Sequence, residues 1–199
     1  MTALAISYWR DRPAAAMAGL GLISGILSAI VGFNFGLPAL EPVAAFFFFG
    51  AEMLPIGFFF GAVVTFGVWF WAGESKAAPL LFLTTMWAWS AAVHTALRLH
   101  KFGGGDAVPA TLIVASIAAG IVGAGLTQLG AAVLAPGLRG PLRFALTCAV
   151  GGVAGLMLYL GEMKIVDSRM LFVVWQPAVA YCLGLGLGRP GAINGIRDA

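Results

Sequence analysis

The chain holds 199 residues, 61% of them hydrophobic and only 10% charged, at a mean hydropathy of +0.98. A water-soluble domain needs about a quarter of its residues charged to clothe its surface, so these proportions exclude an ordinary soluble globule. The net charge of +3, from 11 basic and 8 acidic residues without a basic run, excludes a nucleic-acid surface and reads as loop charge that orients a membrane protein.

A helix crosses the roughly 30 Å hydrocarbon layer with about 20 apolar residues. After Arg10, Asp11 and Arg12, the stretch 14–33 is the first such segment. It is longer than the apolar core of a cleavable signal, about 7–15 residues, and is expected to stay as a span. It sets Gly21, Ser24, Gly25, Ser28, Ala29 and Gly32 on one face, with Asn34 at its outer end.

The segment 42–53 follows, with four phenylalanines from Phe46 to Phe49, then Gly50 and Glu52, and Pro55 just beyond. It is too short to span and too apolar for water, so a re-entrant or interfacial helix is expected. The rival is one long second helix kinked at Pro55. Glu52, between apolar runs, would be desolvated unless paired, and could couple transport to a proton.

Spans two to six are expected at 54–71, 78–97, 108–134, 142–160 and 170–188, with breakers and charges in the connections 73–76, 100–106, 136–141 and 161–169. At 100° per residue, the third span places Trp87, Ser90, His94, Arg98 and Lys101 on one stripe. Such a stripe facing a cavity would suit an anionic or aromatic solute; the plainer alternative is that Arg98 snorkels or pairs with Glu52. The fourth and fifth spans offer small faces at Ala115, Ala119, Gly120, Gly123 and Ala124, and at Gly151, Gly152 and Gly155. These permit close helix packing, or docking of a partner subunit. In the sixth span Pro177 would bend the helix, and Gln176 could bond the carbonyl thereby freed. Trp9, Trp69 and Trp71 fit an aromatic belt at one interface and Trp175 at the other. Cys148 and Cys182 fall inside apolar segments and read as small hydrophobes.

Gly103-Gly104-Gly105-Asp106 resembles the G-x-G-D motif of intramembrane aspartyl proteases such as prepilin peptidases. That chemistry needs a second carboxylate, and Asp11, Asp167 and Asp198 do not supply that family's first motif. A loop with an Asp cap is the expectation. His94 and His100 point apart around their helix, so no metal site or cofactor is expected.

With six spans, Arg10, Arg12, Lys76, Arg139, Arg143, Arg189 and Arg197 fall on one side, against Arg98, Lys101, Lys164 and Arg169 on the other. The bias places both termini in the cytoplasm of what is expected to be a bacterial inner membrane. The chain is therefore expected to be a single all-α transmembrane domain, a bundle of about six helices with a short Phe-rich segment. Its expected function is small-solute transport or membrane-embedded substrate binding. The outward polar site would be built from Asn34, Glu52, Trp87, Ser90, His94, Arg98 and Gln176. The alternatives are a scaffold subunit of a larger membrane complex docking through its Gly/Ala/Ser faces, and, behind it, an intramembrane enzyme.

Overall fold

Apolar runs broken by Gly and Pro become helices broken at those residues. The computed structural model describes residues 9–32, 38–73, 78–102 and 109–187, and no strand occurs among them. The helices are α1 (Pro13–Val31), α2 (Glu41–Phe46), α3 (Leu54–Ala72), α4 (Ala78–Phe102), α5 (Pro109–Leu134), α6 (Pro141–Glu162) and α7 (Met170–Leu187). All but α2 belong to segments long and apolar enough to cross a membrane. Prolines open α1, α2, α3 and α6 within the first turn, where a missing N–H costs nothing. Gly73, left-handed at φ 75°, closes α3.

One boundary differs from the sequence reading by more than two residues. Helix α4 runs to Phe102 rather than ending near 97, since no breaker intervenes, and it carries His100 and Lys101 in its last turn. There the Lys101 ammonium suits the helix dipole. Pro55 begins α3 and does not kink a longer helix. The Phe-rich segment is a separate unit: α2, a reversal in which Phe48 takes φ 60°, and a 3-10 turn Ala51–Met53 leading into α3.

The long helices form a ring in which each packs on the next in sequence and α7 closes back on α1. The closing pair is the most intimate. A Cβ on Gly21 would lie 2.7 Å from the Pro177 Cα, one on Gly184 would lie 2.5 Å from the Ala14 Cα, and one on Gly25 would strike the Phe172 carbonyl. These contacts run the two helices antiparallel, and Pro13 and Leu187 share one end of the bundle. On the far side, Gly120, Gly151 and Gly155 bring α5 and α6 backbone to backbone: a Cβ on Gly151 would sit 2.6 Å from the Gly120 carbonyl oxygen. The small-residue faces thus pack largely against neighbouring helices of the same chain.

The interior collects small and polar side chains, among them Ser24, Ser28, Thr85, Thr127, Gln128 and Thr147, all buried. Large aliphatic side chains point outward: Val153 is 69% exposed and Val133 68%. A water-soluble bundle would carry polar and charged side chains on that outer surface.

Candidate functional site

The third-span stripe proves to be divided among different tasks. Trp87 is ringed by Phe46, Phe47 and Phe48 at centroid distances of 5.4, 5.4 and 5.6 Å. Ser90 Oγ donates to the Phe47 carbonyl at 2.5 Å. Both residues therefore hold the Phe-rich segment against the middle of α4. Half-buried His94 has a buried Nε2 without a hydrogen-bond partner, while Arg98 is exposed. Glu52 is half-buried with its carboxylate folded over Gly50, and no salt bridge joins it to Arg98.

Gln176 does not bond the carbonyl freed by Pro177. Its Oε1 accepts from Ser24 Oγ at 2.5 Å and its Nε2 donates to Ser28 Oγ at 3.0 Å, which clamps α7 to α1. Asn34 and Asp106 lie outside the described residues. Trp87, Ser90 and Gln176 are thus engaged by ring contacts and hydrogen bonds between elements of the chain.

A different site occupies the same end of the bundle. A Cβ on Gly57 would lie 2.9 Å from both Met86 Sδ and Trp89 Cδ1, so α3 begins beside the middle of α4, and the outer part of α4 rises past it. There α4, α5, α6 and α7 enclose a partly open cavity of about 360 Å³, within the usual range for small-molecule sites, about 300–1,000 Å³. It exists because Ala92 and Ala96 on α4, Ala119 and Gly120 on α5 and Gly155 on α6 are too small to fill the space between four helices. Leu112, Leu158, Leu171 and Phe172 supply the apolar walls, with His100 and Glu162 towards the helix ends.

Three lining side chains carry a buried polar atom with no hydrogen-bond partner: Trp89 Nε1, Ser116 Oγ and Trp175 Nε1. Ser116 is fully buried, and Trp175 is 7% exposed. The two rings are held by aromatic contacts, Trp89 edge-on to Phe172 at 5.9 Å and Trp175 tilted on Phe60 at 5.2 Å. Trp175 therefore belongs to the interior and not to an interfacial belt. A buried polar group left without a partner costs about 1–3 kcal/mol, and folded proteins leave few of them. All three atoms are buried in the wall of the cavity, out of reach of its open space.

No known protein family, curated protein or solved structure matches this chain.

The assignment of chemistry therefore rests on the cavity. Trp89, Ser116 and Trp175 were not singled out from the sequence as site residues. Two signals bear on them: Trp89 lies too deep for an interfacial ring, and α4, α5 and α6 all turn small residues towards one level of the bundle.

Proposed function

We propose that the chain is a multi-pass membrane protein that binds a small molecule in the cavity between α4, α5, α6 and α7, as a carrier or as the membrane-embedded binding subunit of one. Six helices of sufficient length and an apolar exterior support the first part of this reading. The single observation that carries the second is the partly open, mainly apolar space of about 360 Å³ between four helices, which is of ligand size. The charge bias of the loops puts this end of the bundle on the outer face of a bacterial inner membrane, with both termini in the cytoplasm. A pure scaffold is less favoured, because the small-residue faces that would dock a partner pack largely within the bundle.

The test is the extraction of small molecules from protein purified in a gentle detergent, followed by mass spectrometry. The native chain is expected to carry one compound in near-stoichiometric amount. Ala119→Phe and Ala96→Leu, which fill the cavity from two helices, should lower it at least tenfold with little change in thermal unfolding. A native chain that carries nothing above the level of an unrelated polytopic protein contradicts the reading.

A further inference from the structure

Given the membrane-spanning reading, and independently of the cavity, we infer that the bundle holds an anionic phospholipid, with its phosphate on Arg143 and an acyl chain along α6. Charge sets one end of the bundle apart. The end where α1 and α6 begin and α5 and α7 stop carries, among the described residues, Arg10, Arg12, Arg139 and Arg143 against the single carboxylate of Asp11. The opposite end balances Arg98, Lys101, Lys164 and Arg169 against Glu41, Glu52, Glu162 and Asp167. All four cations of the first end are arginines, whose planar fork matches the oxygens of a phosphate better than an ammonium does.

Within that end Arg143 is held in place and left unpaired. A Cβ on Gly186 would lie 3.3 Å from its Nη1, so the guanidinium rests against the last turn of α7. The residue is half-buried and makes no side-chain hydrogen bond or ion pair among the described residues. Arg139 is engaged differently, donating from Nε to the Ala132 carbonyl at 2.9 Å and from Nη2 to the Val133 carbonyl at 3.1 Å. Carbonyls are neutral, so its charge adds to the positive field of this end. A basic site between helix ends at the level of the headgroups is of the kind that receives an anionic lipid.

The surface beneath Arg143 supplies the place for a chain. Leu146 and Val153 follow it three and ten residues along α6, within about 80° of its direction, and are 44% and 69% exposed. Ten residues rise about 15 Å, half of the roughly 30 Å hydrocarbon layer. No charged side chain interrupts α6 between Arg143 and Glu162. The apolar stripe therefore runs through the depth of one leaflet, directly below the unpaired guanidinium.

The test is native mass spectrometry of the full chain in a gentle detergent, titrated with dioleoyl phosphatidylglycerol and dioleoyl phosphatidylcholine. Their chains are identical, so the difference reports headgroup charge. The phosphatidylglycerol is expected to occupy one site at least about fivefold more tightly, the effect of one arginine at an anionic surface. Arg143→Gln is expected to abolish that preference and leave phosphatidylcholine binding unchanged. Arg143→Met, which keeps an apolar stem over Gly186, is the second variant, with the same expected loss. Lys101→Gln and Arg169→Gln, at the balanced end, should preserve the preference. Equal binding of the two lipids by the native chain, or an undiminished preference in either Arg143 variant, overturns the site. Displacement of phosphatidylglycerol by an equal concentration of inorganic phosphate also overturns it, since the anion and not the lipid would then be the ligand. A chain that stays monodisperse without detergent overturns the membrane-spanning reading itself, which neither lipid result does.

Discussion

At Gln176, one amide joins two helices that are 148 to 152 residues apart in sequence from its partners Ser28 and Ser24. Gln128 does a similar task locally, donating to the Leu138 carbonyl at 2.7 Å and accepting from Thr147 Oγ1 at 3.2 Å, which pins the α5–α6 connection. Buried amides of this kind are costly when half-satisfied and nearly neutral when removed with their partners. Gln176→Leu is therefore expected to destabilise the bundle by about 1–3 kcal/mol, read from denaturation in detergent. The combined change Ser24→Ala, Ser28→Ala and Gln176→Leu should lose less than the single substitution; an equal or greater loss contradicts the clamp. The sequence marks such a residue as buried and polar, but both a clamp and a ligand contact present that signal. Only the position of the first helix against the last tells them apart. Trp87 and Trp89 pose the same problem: two positions apart, they point about 200° from one another on a helix. One holds the Phe-rich segment and the other lines the cavity.

Among the elements, the spans were legible because hydropathy reports length in hydrocarbon directly, and the described helices overlap all six expected segments. Their ends shifted where a run without a breaker continued, as at α4. The ring order, and the closure of α7 on α1, were not legible: small-residue stripes state that a helix is approached closely, without naming the neighbour. The Phe-rich segment was recognisable as an anomaly, yet its attachment was hidden. It depends on the Ser90 hydroxyl meeting the Phe47 carbonyl, beside a reversal in which Phe48 is left-handed and local bonds from the Phe48 and Phe49 N–H groups to the Ala45 and Ala44 carbonyls close the turn. Ser90→Ala leaves that carbonyl bare. Amide hydrogen exchange in residues 47–49 is expected to accelerate about tenfold, the equivalent of about 1.4 kcal/mol within the cost of a buried unsatisfied group, while exchange in α5 and α6 stays unchanged. Unaltered protection of residues 47–49 would show that the ring contacts alone hold the segment.

Over the whole molecule, the exterior of the helices is apolar where a soluble bundle would be polar. Glycine, alanine, serine and threonine bring backbones together inside, and aliphatic side chains cover the outside. The cavity is a consequence of that arrangement, since helices that pack through small residues leave space wherever they diverge. It lies at the end of the bundle that carries His94 and Arg98, and its lining is mainly apolar. Both the fold and the proposed binding site depend on which face of each helix meets lipid. Spin-label accessibility along α5 in lipid vesicles measures that face directly. Labels at Val114, Ile121 and Val133, which point outward, are expected to collide readily with oxygen and rarely with a water-soluble nickel chelate. A label at Gly123 or Ala131, turned inward, should meet little of either. High chelate collision at Val114, Ile121 and Val133 would contradict the account.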